Sequence, residues 1–293
     1  MSTTGNARVS AALWRRPWLR ASLTISPPLA WFLVIYLASL ATMLITALWS
    51  VDPFTNNLHH QVTLQNFRDL MSATYLRIIW RTVVLAALVT ITDAVLAFPF
   101  AYFMARVASG RTRSLLFMAV LLPLWASYLA RIYAWIVILT KGGTLNWAFR
   151  HIGLPEPNIG YTQPALWLVF SYIWLPFMII PVYTALERIP DSLFEASGDL
   201  GGRQFRTLRS VVIPLALPGI VAGSIFTFSL TLGDFITPLL IGGTNSNLIG
   251  NVIYDNIGTA NNLPFAAALA IVPILIMTIY LLAARAVGAF EAM

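Results

Sequence analysis

The sequence predicts an all-α membrane protein with six transmembrane helices, on three observations. Hydrophobic residues make up 58% of the 293 and charged residues 10%, with a mean hydropathy of +0.77, whereas soluble domains carry roughly 25% charge. The apolar residues come in repeated runs close to the ~20 residues needed to cross a hydrocarbon core of roughly 30 Å. Backbone amides in oil must be satisfied within their own segment, so runs of this length are helices and not strands.

In chain order the spans are expected at 29–49, 82–104, 115–139, 164–186, 211–232 and 264–284. The first follows a basic segment, as in a signal peptide, but the uncharged run from Leu29 to Trp49 exceeds the roughly 7–15 residues of an h-region and reads as a retained span. Pro27 and Pro28 precede it, and Pro164 and Pro264 open two others, in the first turn where a missing N–H is not needed. Asp93 interrupts the second run and Arg131 the third. Pro99, Pro123, Pro176, Pro214 and Pro218 fall inside spans and predict kinks or joins between half-helices.

The segments between spans alternate in character. Those after the second and fourth are short and basic; those at 50–77, 140–163 and 241–263 are longer, rich in Asn, Gly and Pro, and poor in Lys and Arg. With the N terminus inside, the inner segments hold Arg8, Arg15, Arg16, Arg20, Arg106, Arg111, Arg113, Arg188, Arg203, Arg206, Arg209 and Arg285, against Arg68, Lys141 and Arg150 outside. That asymmetry predicts cytoplasmic termini. It also accounts for the net charge of +7 without nucleic acid, since the basic residues are dispersed over loops. The expected organisation is a cytoplasmic tail 1–26, one six-helix domain 27–287 containing an inner loop at 187–213, and a tail 288–293.

The chain has no Cys, which excludes disulfides and thiolate metal sites. His59, His60 and His151 have no ligand-like spacing, and no cluster of His and acids collects to build an enzyme site. No G-x-x-x-x-G-K-[ST] phosphate loop occurs.

The inner loop concentrates what charge there is. Pro190 stops the fourth span, and Ser192 with Glu195 is expected to form a capping box that starts a short helix. Gly201 and Gly202 end it, as residues that tolerate a left-handed backbone, and Arg203, Arg206 and Arg209 follow on one helical face. A compact helix, glycine turn and helix with a small apolar knob has the shape of a docking element; the same arginines also suit a helix lying on lipid headgroups. The residues leave both readings open.

Glu195, Ala196, Gly201, Val211, Ile213 and Pro214 resemble the E-A-A-x-x-x-G-x9-I-x-L-P signature of permease subunits of binding-protein-dependent ABC importers. The spacing is kept, with Ser197 in place of the third small residue, Val211 in place of Ile and Ile213 in place of Leu. "FPFAYFMAR" (98–106), "LLPLWASYLARIYAWIVIL" (121–139), "LGDFITPLLIGG" (232–243) and "IGNVIYDNIGTANNLPFAAAL" (249–269) are similar to the spermidine/putrescine type. The resemblance implies a type I importer permease fold with a cytoplasmic coupling helix, and a bacterial inner-membrane location. It also implies a second permease subunit, two ATPase subunits that bind ATP and Mg in place of this chain, and an external solute-binding protein. Docking to the ATPase would then fall to Glu195, Ala196, Ser197, Leu200, Gly201 and Arg203, with Glu195 in partner contact or capping its own helix. A self-powered secondary transporter is the alternative, but it leaves the loop unexplained.

Ionisable groups inside spans are functional candidates. Asp93 is the deepest charge and Asp234 lies near the outer end of the fifth span. For a polyamine, carboxylates and aromatic faces are the physically suitable lining, and Trp125, Tyr128, Tyr172 and Trp174 are candidates for the faces. Against this, Asp93 is equally read as pairing with Arg131 or capping a broken helix, Asp234 as holding the outer loop, and the aromatics as an interfacial belt.

Overall fold

The computed structural model describes residues 17–52, 55, 57–243 and 246–286. Arg8, Arg15, Arg16 and the expected tail 288–293 lie outside the described residues. In chain order the elements are α1 (Pro17–Thr46), the strands β1 (Ser50–Val51) and β2 (Leu58–His59), α2 (Gln65–Leu70), α3 (Ala73–Tyr102), α4 (Gly110–Trp125), α5 (Tyr128–Leu139), α6 (Thr144–His151) and α7 (Gln163–Glu187). They continue with α8 (Asp191–Asp199), α9 (Gln204–Thr207), α10 (Ile213–Gly233), α11 (Ile236–Ile241), α12 (Ile249–Gly258) and α13 (Leu263–Ala286). The strands pair antiparallel as a short hairpin, Ser50 opposite His59.

Among the described residues five helical segments are long and apolar enough to cross a membrane: Ala21–Thr46, Ala73–Val107, Gln163–Glu187, Gln204–Gly233 and Leu263–Ala286. The expected third span is not one straight helix. It is broken between α4 and α5 with a bend of 94°, and six spans result only if the bent pair counts as one. Pro123 sits just before the break, where its missing N–H and its ring both disfavour a continued helix. Two further boundaries differ from expectation: Pro27 and Pro28 lie inside α1, not before it, and the second span begins at Ala73, not Thr82.

The centre of the bundle is α7, packed against α3 and α10, which also pack against each other. Close approach depends on glycine. A β-carbon placed on Gly219 would lie 2.5 Å from Ala185 Cβ and 2.6 Å from the Pro181 carbonyl oxygen, and one on Gly223 would lie 2.6 Å from Met178 Sδ. Small residues are how membrane helices gain van der Waals contact when lipid offers no hydrophobic incentive to associate. Around this seam the core divides into a cluster at the α8 end, with Ala101, Met104, Val182, Leu186, Val212 and Ala216, and a cluster at the opposite end, with Val89, Ile132, Leu166, Phe170, Ile173 and Leu248.

Two π-helical turns flank the α8 loop, one continuing α3 over Phe103–Val107 and one over Leu208–Val212 ahead of α10. Each is closed by a wide bond, Ala108 N–H to Phe103 O and Ile213 N–H to Leu208 O. The second lies directly before Pro214, which has no N–H to give the Ser210 carbonyl and whose ring crowds that turn.

Helix α1 stands off the rest. None of its most apolar window is buried against the chain. Its tie is at one end, where Met43 and Ala47 pack with Leu70 and Phe265 and the buried Asn66 donates to the Ala47 and Trp49 carbonyls at 2.8 Å each.

Candidate functional site

Two regions carry chemistry, at opposite ends of the bundle. The first is the loop between α7 and α10. Helix α8 starts with Pro190 at the cap position in extended backbone, and no side chain caps it. The expected capping box does not form, because Ser192 already lies within the first turn. The glycine stop does form, as a full Schellman motif: Gly201 has φ +73°, its N–H donates to Gly198 O at 2.9 Å, and Gly202 N–H donates to Ser197 O at 2.8 Å. Nothing lies within 4 Å of a β-carbon on Gly201, whereas one on Gly202 would meet Ser197 Oγ at 2.5 Å and Ser197 O at 2.6 Å. The tight approach is therefore at Gly202; Gly201 is needed for its backbone angle. Ser197 Oγ also bonds Thr207 Oγ1 at 2.8 Å, joining the two helical pieces.

Glu195, Ala196, Leu200, Gly201 and Arg203 are exposed along this hairpin, with Leu200 at 87%, while Ser197 is half-buried. Exposed Phe205 adds a second large apolar group. Behind it a groove of about 860 Å³ runs between Phe98, Tyr102 and Val107 on one side and Phe194, Phe205 and Leu208 on the other. Sequence reasoning missed Phe205 and Thr207. It also counted Arg106 only as a loop charge, although the structure turns this residue onto α8 (Arg106 Nη1 to Asp191 Oδ1, 2.8 Å).

The second region lies where α10 ends. Asp234 accepts from Ile236 N–H at 2.8 Å and Thr237 N–H at 3.2 Å, the first amides of α11, and from Thr237 Oγ1 at 2.7 Å. The Tyr128 hydroxyl, from the start of α5, donates to the same carboxylate and lies 2.6 Å from Thr237 Oγ1. Tyr128 in turn stacks on Trp174 of α7, centroids 5.9 Å apart and planes at 18°. These groups line a cavity of about 350 Å³ with Ser229, Leu230, Gly233 and Phe235. Phe235 is backed by Tyr254 at 4.8 Å.

Of the six expected pathway residues the structure brings Asp234, Tyr128 and Trp174 together. Trp125 does not join them: it is 88% exposed at the end of α4. Tyr172 does not join them either; it packs edge-on against Trp135, further along α5, at 5.4 Å. Asp93 is 0% exposed, and its carboxyl oxygens make no hydrogen bond of good geometry, although the Ser171 hydroxyl of α7 lies close enough to interact with them. It does not pair with Arg131, whose guanidinium lies over the Tyr128 ring at 5.8 Å. Thr237, Ser229 and Phe235 were not anticipated, although "LGDFITPLLIGG" contains two of them and was noted only for its resemblance.

Five membrane-length helices and one bent pair, with an exposed helix–glycine–helix loop ahead of the penultimate span, are the architecture of a membrane-embedded subunit. Residues 97–290 match the model of the binding-protein-dependent transport system inner membrane component, and the chain belongs to this family of ABC importer permeases. It is 46% identical over 305 residues to the inner membrane ABC transporter permease protein YdcU of Escherichia coli (strain K12), covering 100% of this chain and 97% of that protein. It is 34% identical over 212 residues to the spermidine/putrescine transport system permease protein PotB of Haemophilus influenzae, covering 72% and 74%. The fold is that of the crystal structure of a bacterial ABC transporter involved in the import of the acidic polysaccharide alginate. That match has a TM-score of 0.74 at 18% identity and covers 97% of this chain and 99% of that one.

Proposed function

We propose that this permease subunit imports a small organic cation, a polyamine of the spermidine or putrescine kind, by alternating access powered by a separate ATPase. One observation carries the substrate class: in the cavity at the end of α10, Asp234 is the one charged residue among the described residues that line it, and the Tyr128 and Trp174 rings form a wall. An ammonium group pairs with the carboxylate and lies over the ring faces. The α11 amides and two hydroxyls hold the carboxylate in place before any solute arrives, which lowers the cost of binding. The relatives named for spermidine and putrescine support the same reading. The alginate structure carries an acidic solute, but at 18% identity it speaks for the fold alone.

In this reading two ATPase subunits bind ATP and Mg outside this chain and grip the hairpin through Glu195, Ala196, Ser197, Leu200, Gly201 and Arg203. Closure of the ATPase pair on ATP drags the hairpin and turns the 27–287 bundle from inward-open to outward-open. An external binding protein delivers the solute to the α11 end, with both termini in the cytoplasm. A second permease, related but different, completes the membrane part. The 31% identity over 122 residues to the spermidine/putrescine permease PotC of Escherichia coli (strain K12) supports such pairing.

The test is uptake into liposomes of the complete importer, with its binding protein, using radiolabelled spermidine, putrescine and a neutral sugar. Asp234→Asn keeps an oxygen for the Ile236 and Thr237 amides but removes the charge. Polyamine uptake should fall roughly tenfold, the scale of one charge-assisted bond, with assembly unchanged. Equal uptake by mutant and parent removes Asp234 from the pathway, and a parent that takes up neither polyamine overturns the substrate class.

A further inference from the structure

The inner end of α3 is fastened to the α8 loop chiefly through one guanidinium. Arg106 lies in the π-helical turn Phe103–Val107. Its Nη1 donates to Asp191 Oδ1 at 2.8 Å, and its Nη2 donates to Leu186 O at 2.6 Å and to Ile189 O. Its Cζ stands 4.6 Å from the centroid of the Phe194 ring. Leu186 and Ile189 are at the end of α7 and in the turn that follows; Pro190 has no N–H to give the Leu186 carbonyl, which accepts instead from the Ile189 N–H at 3.3 Å and from Arg106. Asp191 and Phe194 belong to α8. One side chain from α3 therefore ties together the α7 terminus, the connecting turn and the α8 helix.

The burial is unequal in an informative way. The Arg106 side chain is 14% exposed while that of Asp191 is 87% exposed. An exposed carboxylate contributes little by itself, so the hold comes mainly from the carbonyls and the ring, which engage the planar fork of arginine in several directions at once. A lysine offers a point charge and cannot replace that geometry. A second tie runs in parallel: Arg113 of α4 donates to Ala105 O at 3.1 Å and lies 3.7 Å from Glu187 Oε1, which also accepts from the Tyr183 hydroxyl at 2.9 Å. The π-turn is thus bonded on both sides to the base of the loop.

We infer that Arg106 is a positioning residue that locks α8 to the end of α3, so that α3 moves with the docking helix although no short stretch of chain joins them. This rests on the docking reading above. Without the latch, α8 would load α3 only indirectly, through the packing of α3 on α7 and α10 and through the longer Arg113 contact to Glu187. With it, α8 is bonded to the end of α3 directly.

The chain has no cysteine, so paired spin labels can be placed without background. Labels at Val107→Cys and Asp199→Cys, both exposed positions, report the α3–α8 separation in the detergent-purified importer, nucleotide-free and trapped with ATP and vanadate. The parent should keep one narrow distance in both states. In Arg106→Gln, trapping should populate a longer distance, the ratio of close to splayed species falling roughly tenfold, while the ATPase subunit still co-elutes. Arg106→Lys should resemble Gln. If Arg106→Gln cannot be purified, the parent alone decides: a distance that changes on trapping overturns the inference. So does a Gln variant that keeps the parent distance, or one that loses the ATPase subunit with the distance unaltered. If no ATPase subunit accompanies even the parent, the docking reading itself falls, and the latch with it.

Discussion

Gly201 and Gly202 are adjacent and look equivalent in the sequence, yet they should fail for different reasons. At Gly201 the space is open and only the backbone objects: φ is +73°, a conformation that costs an L side chain roughly 1–2 kcal/mol. Gly201→Ala should therefore weaken closure of the hairpin by about tenfold, and Gly201→Asn by clearly less, since Asn tolerates the left-handed region. At Gly202 the β-carbon would sit 2.6 Å from the Ser197 carbonyl oxygen and 2.5 Å from its hydroxyl. The hydroxyl can rotate only by giving up Thr207, and the carbonyl cannot yield without opening the Gly202 N–H bond of 2.8 Å. Losing both bonds amounts to about 2 kcal/mol, so Gly202→Ala should be the most damaging of the three. Hydrogen exchange over residues 196–208 of the purified importer reads local opening directly, and retention of the ATPase subunit reads its consequence. The reasoning is wrong if Gly201→Asn exchanges as fast as Gly201→Ala, or if Gly202→Ala exchanges as slowly as the parent.

At the helix seam, Gly219→Leu should abolish accumulation of folded subunit, because the added β-carbon faces Ala185 Cβ at 2.5 Å and a Pro181 backbone oxygen at 2.6 Å; fluorescence-detected size exclusion of normally expressed protein would contradict this. Asp93→Asn should raise the unfolding midpoint in detergent, since a buried carboxyl beside only the poorly aligned Ser171 hydroxyl gives way to a group that carries no charge to bury. A lowered midpoint would reveal a partner that Asp93 depends on.

The bundle itself was largely legible, because the pressure to satisfy backbone amides in oil writes helices as long uncharged runs. The elbow between Trp125 and Tyr128 was signalled by Pro123, but only as one of five in-span prolines; Pro99, Pro176 and Pro218 lie inside unbroken helices, and nothing in the sequence singled out the one that breaks its span. In the loop, the glycine pair announced the turn, but the fit between Gly202 and Ser197 depends on which way the turn folds. Asp234, Tyr128 and Trp174 were recognisable as types suited to a cation; their meeting joins α5, α7 and the start of α11, which no spacing rule predicts. Arg106 was hidden by its ordinariness, one more arginine on the basic side.

Helix α1 has a consequence of its own. Held to the remainder through Asn66 and a small apolar contact at one tip, it shares almost none of the packing that makes the other helices melt together. Heat or denaturant should dismantle the bundle in a step that leaves α1 helical, sheltered by the bilayer alone, so its exchange protection would report on lipid and not on tertiary structure.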